Sequence, residues 1–163
     1  MKQTFRQKFN KICLLALLVL TTGCTKKSQP VEIKKISWKT ELQASTALAA
    51  QQHKPILIDF WADWCSACKE LDATTFQDAR VFEIIEKKTV PTQLDFTDMA
   101  EDKKAILLKY NVLGLPSLVF LDAKGRWIQE GNLSGYYNAE EFLEAFSRVA
   151  KKLNAQGVCE TCS

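Results

Sequence analysis

The apolar run Pro55-Ile-Leu-Ile-Asp-Phe-Trp61 leads almost directly into Trp64-Cys65-Ser66-Ala67-Cys68-Lys69. Unbroken hydrophobicity with a single acid predicts a central strand covered on both faces. A Cys-x-x-Cys pair at the turn from such a strand into a helix suits thiol–disulfide exchange. The first sulfur falls at the exposed start of the helix, where unpaired N–H groups and the helix dipole favour a thiolate. The second lies one turn further in, close enough to close a small disulfide ring. A structural zinc half-site is the competing reading, and it requires a second pair of Cys or His ligands. The flanking strand, Asp59 within it and the Trp before the first Cys favour redox chemistry.

The N-terminal residues read as a targeting segment and are set aside before the fold is considered. Lys2, Arg6, Lys8 and Lys11 form a positive region, and Ile12 to Leu20 an apolar stretch too short for an ordinary transmembrane helix. Thr21-Thr22-Gly23-Cys24 is similar to a bacterial lipoprotein cleavage box, with Cys24 as the acylated residue, although Thr21 stands where Leu is usual. An ordinary signal peptide or an uncleaved anchor is the alternative. Removing the leader leaves 18 basic residues against 19 acidic ones, so the formal charge of +3 becomes about −1. That balance leaves no basic footprint for nucleic acid. The expected membrane contact is lipid on Cys24, helped by Lys26 and Lys27.

The six cysteines then sort by position. Cys13 leaves with the leader and Cys24 is the lipid site. Cys65/Cys68 and Cys159/Cys162 remain, in an exported compartment where disulfides persist. The organisation expected is a leader over 1–23, a lipidated tether over 24–37, a folded domain over 38–154 and a Cys-containing tail over 155–163. About 140 residues are enough for one core without disulfide staples.

Within the domain, Glu41 to Gln52 reads as a helix and Pro55 to Trp61 as the buried strand. A helix from Cys65 to about Ala73 is interrupted at Thr74-Thr75-Phe76, and a second helical piece follows over Asp78 to Lys88. Thr89 to Phe96 reads as a strand with Pro91 near its start. Glu101 to Tyr110 is a short helix. Ser117 to Leu121, the turn Asp122-Ala-Lys-Gly125 and Arg126 to Glu130 form a hairpin. Asn138 to Leu153 is the best-specified helix. Asn138 and Glu141 stand at capping-box spacing, and Phe142, Ala145, Phe146, Val149 and Leu153 form one apolar stripe. A β-α-β segment, a hairpin and a closing helix, with Cys-x-x-Cys after the first strand, give an α/β fold with a central mixed sheet flanked by helices, the thioredoxin layout.

Cys65 is the expected attacking thiolate, with a pKa below the free value of roughly 8.5. Cys68 is the expected resolving thiol, more buried and in need of a base. Asp59, among Ile56, Leu57, Ile58, Phe60 and Trp61, should be costly to desolvate and its pKa raised. Such a carboxyl near Cys68 is a suitable proton acceptor; a solvated Asp59 beyond an early strand end is the bland alternative. Trp64 is expected to line the target-binding surface, and Trp61 to belong to the core. On the residues alone Pro116 is trans, because only roughly 5–6% of X-Pro bonds are cis in folded proteins. His53, the one histidine, reads as a surface residue, and with two Met the chain offers little for copper. Cys159/Cys162 is open between a second redox pair, a disulfide loop and one end of a metal site. No helix follows it to activate the first thiol, so catalysis is not assigned there.

The segment Ile56 to Glu70, with Ala-Asp-Trp-Cys-x-Ala-Cys-Lys-Glu at its end, resembles the thioredoxin superfamily. Thr75-Phe76, Leu107-Leu-Lys-Tyr-Asn-Val-Leu-Gly-Leu-Pro-Ser117 and Phe120-Leu-Asp-x-x-Gly125 narrow the resemblance to the C-terminal periplasmic domain of the thiol-disulfide interchange protein DsbD. It runs from about Ala47 to Val149. In that family the domain is a reductant, taking electrons from a membrane-embedded partner domain and passing them to periplasmic acceptors. The resemblance implies a cis Pro116 beside the cysteines, and a second acid at Asp72, where Glu is usual. Trp64, Lys69, Asp72 and Pro116 are therefore the expected supporting residues around Cys65, Cys68 and Asp59. The sequence lacks the family's transmembrane region and N-terminal domain, so a separate membrane electron donor is expected, with the lipid anchor replacing covalent fusion.

The expectation is a membrane-anchored thiol:disulfide oxidoreductase of the cell envelope that reduces disulfides in exported proteins. It has no cofactor and no metal site. An oxidase or isomerase using the same cysteines is the rival within the enzymes. A non-catalytic scaffold binding a metal or a partner is the rival outside them.

Overall fold

A computed structural model of the protein describes residues 33–157. The leader, Cys24, Cys159 and Cys162 lie outside the described residues. The fold is a four-stranded mixed sheet flanked by five helices. In chain order the elements are α1 (Leu42–Gln52), β1 (Ile56–Trp61), α2 (Ser66–Ala73), α3 (Ala79–Glu83), β2 (Val90–Asp95), α4 (Glu101–Lys109), β3 (Ser117–Leu121), β4 (Trp127–Ser134) and α5 (Ala139–Ala155). A short 3-10 turn, Thr75–Gln77, joins α2 to α3. The strands run in the order β2-β1-β3-β4, with β1 parallel to β2 and antiparallel to β3.

β1 is central because its sequence is apolar on both faces. Side chains alternate across a strand, so Ile56, Ile58 and Phe60 face one way and Leu57, Asp59 and Trp61 the other. The first set packs with Ala49 of α1, Val90 and Tyr110. On the second face Leu57 packs with Leu71 of α2, Phe76 and the α5 residues Phe142, Phe146 and Val149. Both layers are closed, so the strand needs hydrophobicity on both sides and carries one acid.

Pro91 lies inside β2, not merely at its start. The strand tolerates it because β2 is at the edge of the four-stranded sheet and position 91 turns its missing donor outward. Val90 donates inward to Pro55 O, whereas Gln93 donates to Lys39 O on the outer side. The Lys39 backbone N–H in turn donates to Pro91 O at 2.9 Å, so a short bridge covers that edge.

Three local features differ from the expected elements. The single helical piece over Asp78 to Lys88 is split into α3, capped by Asp78, and a wider π-turn over Ile84–Lys88. Thr89 Oγ1 closes that turn by donating to Ile85 O at 2.7 Å. β4 continues beyond Glu130 to Ser134, because pairing passes from Phe120–Ile128 to Leu118–Leu133 across a bulge. Packed chain begins before Trp38: the Lys34 backbone N–H donates to Gln77 Oε1, and Ile36 is buried in the core.

α5 has the expected stripe, with Phe142, Ala145, Phe146, Val149 and Leu153 all buried and the Asn138–Glu141 capping box closed in both directions. Its start lies beside Pro116 and the end of α2, because Gly135 N–H donates to Pro116 O and Thr75 Oγ1 to Tyr137 O. From there α5 runs back along the sheet, where Lys152 pairs with Glu130 of β4.

The helix approaches β4 so closely at Gly131 that only hydrogen fits there. A Cβ at this position would stand 2.2 Å from Val149 Cγ2 and 2.8 Å from Phe120 Cδ2, both buried side chains. Gly131→Ala is expected to lose about 1–3 kcal/mol in urea denaturation. Adding Val149→Ala should make the double variant less destabilised than the two losses summed. Wild-type stability in Gly131→Ala would mean that helix and strand are not this close.

Candidate active site

β1 ends at Trp61, and the chain turns through Ala62, Asp63 and Trp64 into α2. Thr97 fixes that turn: its Oγ1 accepts from Asp63 N–H at 2.9 Å, and its carbonyl accepts from the Trp64 indole at 3.1 Å. Thr97 is held by Asp95 Oδ1, which accepts from both its backbone N–H and its hydroxyl. Cys65 is the N-cap of α2, and its Sγ accepts from Cys68 N–H at 3.1 Å. The first sulfur therefore occupies the place where a capping oxygen usually satisfies an orphan helix donor.

Cys65 and Cys68 are joined in a disulfide, with Cα atoms 5.3 Å apart. Cys65 is 6% exposed and Cys68 2%. The order of exposure is the expected one, but Cys65 is more enclosed than a helix start alone implies. Trp61, Ala62, Ala67 and Leu115 pack around the pair. Leu115 arrives through a cis Leu115–Pro116 peptide bond, the isomer implied by the family resemblance and not by the residues alone.

The remaining expected residues fall as follows. Trp64 is 58% exposed next to Cys65. With Met99, Leu107, Val112, Leu113 and Leu115 it lines an apolar recess of about 230 Å³ beside the disulfide. Lys69 is exposed to solvent, one residue beyond Cys68. Asp72 is half-buried one turn further along α2, and desolvation raises its pKa.

Asp59 is 2% exposed, on the face of β1 that carries α2. Burial pushes its pKa up to about 7, and the nearby Asp72 carboxylate adds to the rise. A hydrogen bond from Gln93 Nε2 to Oδ2, at 3.0 Å, works in the opposite direction. Gln93 is the register partner of Asp59 across the parallel β1–β2 pair. Sequence reading missed both Gln93 and Thr97. The Asp95-x-Thr97 spacing at a strand end is a signal for an Asx-type turn; Gln93 has no local signal, because pairing register alone brings it to Asp59.

The arrangement combines an exchangeable disulfide at a helix N-terminus, an apolar surface beside it and a buried carboxyl that titrates near neutrality. Among the described residues no group of His, Cys, Asp and Glu side chains is arranged to hold a metal ion. Among them also, no helix is long and apolar enough to cross a membrane.

Comparison with known proteins agrees with this chemistry. A family model described as a thioredoxin-like domain matches residues 42–150. The thiol:disulfide interchange protein DsbD of Yersinia enterocolitica is 39% identical over 127 residues, which cover 76% of this chain and 22% of that protein. The chain thus spans about a fifth of the length of the curated relatives it matches. The reduced C-terminal domain of Neisseria meningitidis DsbD is 30% identical with a TM-score of 0.55, over 63% of this chain and 89% of that domain. A thioredoxin from Thermus thermophilus, at 23% identity and a TM-score of 0.64, shares the fold over 76% of this chain and 94% of its own.

Proposed function

The chain belongs to the thioredoxin-like domain family, and from that premise we propose that it is a thiol–disulfide oxidoreductase that reduces disulfides in exported proteins. The observation that carries the reading is the Cys65–Cys68 disulfide at the start of α2, on the sheet face that also buries Asp59. In the reduced enzyme the Cys65 thiolate attacks a substrate disulfide and forms a mixed disulfide, releasing one substrate thiolate. Cys68 gives its proton to Asp59 and attacks Cys65 Sγ. The Cys65–Cys68 bond forms, the mixed disulfide breaks, and the second substrate thiolate leaves and takes a proton from solvent. Two electrons pass from enzyme to substrate, and a dithiol donor must restore them.

Trp64, Leu115 and Pro116 shape the surface on which the substrate lies, and Asp72 keeps Asp59 from ionising too readily. The similarity to the DsbD domain supports the reducing direction and a membrane-held electron donor. Lipid on Cys24 holds the domain at the membrane on its extracytoplasmic side; the basic leader, the short apolar stretch and Gly23-Cys24 support that placement.

The deciding measurement is the equilibrium reduction potential of the Cys65–Cys68 pair, in protein carrying Cys159→Ser and Cys162→Ser. A value of about −270 to −200 mV is expected of an electron donor. A value near −120 mV would reverse the direction and make the protein an oxidase.

A further inference from the structure

Asp59 Oδ1, Trp61 Nε1 and Tyr137 Oη are buried atoms with no hydrogen-bond partner among the described residues. Buried polar groups are almost always paired, with protein or with ordered water, and a buried water takes two to four such partners. Two of these atoms belong to one face of β1, since Asp59 and Trp61 are two residues apart on the strand. Tyr137, 2% exposed, joins them from the segment before α5. It packs in one cluster with Leu118, and Leu118 is the β3 register partner of Asp59. The Asp59 and Asp72 charges both act on the Tyr137 hydroxyl. Its backbone is pinned by Thr75 Oγ1, which donates to Tyr137 O at 2.6 Å.

We propose that Tyr137 is a positioning residue for Asp59, its hydroxyl reaching Oδ1 through one internal water and stabilising the carboxylate that accepts the Cys68 proton. This rests on the oxidoreductase reading above and adds to it a donor that lies outside the Cys-x-x-Cys motif. The groups that act on Asp59 or share its face are Gln93 from β2, Asp72 from α2, Leu118 from β3, Tyr137, and Trp61 on its own strand. None of these is a cation. The ionised form therefore depends on neutral donors, of which Gln93 reaches Oδ2 and leaves Oδ1 to the water. Tyr137 is suited to the part: burial, with both carboxylates adding, holds it well above its ordinary range, so it keeps its proton while Asp59 titrates.

Tyr137→Phe removes the hydroxyl and keeps the ring. In the full-length oxidised protein, Asp59 is titrated by its carboxyl C=O infrared band, assigned by the loss of that band in Asp59→Asn. The midpoint is expected to rise by about one pH unit in Tyr137→Phe, the effect of losing one hydrogen bond to a charged group. In single-turnover exchange the pH profile of the Cys68 step should move up with it. An unchanged midpoint, together with a more stable protein, would show that the hydroxyl was simply unpaired and would overturn the proposal. Asp72→Asn serves as the control and should lower the midpoint, since the Asp72 charge opposes ionisation of Asp59. The infrared titration needs no substrate. Loss of the oxidoreductase reading would leave its result intact, and a static midpoint would leave that reading intact.

Discussion

Cys65→Ser is expected to reduce disulfide-reductase turnover to background while leaving the fold unchanged, because the side chain is nearly isosteric and its oxygen can still cap α2. The reaction needs a sulfur that attacks and is then itself attacked, and a hydroxyl does neither at neutral pH. Cys68→Ser should behave differently. Its Cys65 still attacks, but nothing displaces the bound substrate, so a mixed disulfide accumulates and is seen as a mass adduct. The pair of outcomes assigns the two roles. Full turnover in Cys65→Ser would move the chemistry to other cysteines, with Cys159 and Cys162 the first to test.

Asp59→Asn should change both rate and stability, each with its own pH signature. The ordinary carboxyl value of 3.8 applies to the unfolded chain, and the folded value is about 7. Between those limits the native state holds a proton that the unfolded state has released. Wild-type stability therefore falls as pH rises from about 4 to about 7, and levels off above. Three pH units correspond to roughly 4 kcal/mol, an upper bound on what this one group removes. Asp59→Asn lacks that slope and should be the more stable protein at pH 8, by a few kcal/mol. The same variant has no base for Cys68, and the resolving step should slow by a factor on the order of a hundred. Urea denaturation from pH 4 to pH 8, with single-turnover exchange over the same range, reads both. Parallel stability curves for the two proteins would show that Asp59 does not titrate in this window.

Much of the molecule was legible because its signals are local. A short apolar run rich in Ile and aromatic residues and bounded by turn residues reads as a covered strand, and β1 is one. The α5 stripe recurs at helical spacing, and Asn138 and Glu141 stand three apart, the separation a capping box requires. Asp59 was readable as buried because its neighbours on both sides are apolar. What the residues hid depends on contacts between distant segments. Gln93 meets Asp59 only through the register of a parallel pair, which no spacing in the chain encodes. Tyr137 looks like an aromatic just ahead of a helix, and its unpaired hydroxyl becomes visible only when the sheet face beneath it is assembled. The bulge between the Leu118–Leu133 and Phe120–Ile128 pairs is likewise a matter of strand register. Pro116 is the opposite case: its cis bond came from likeness to a family, against the odds for any single proline.

The turn that carries Trp64 also bears on how separable the cysteine motif is from its fold. Its brace lies outside the Cys-x-x-Cys segment: Thr97 accepts from the Asp63 N–H and from the Trp64 indole, and Asp95 holds Thr97 in place. A transplant of Trp64–Lys69 alone onto another strand-to-helix turn would carry both sulfurs and leave behind the strand end that aims their apolar neighbour.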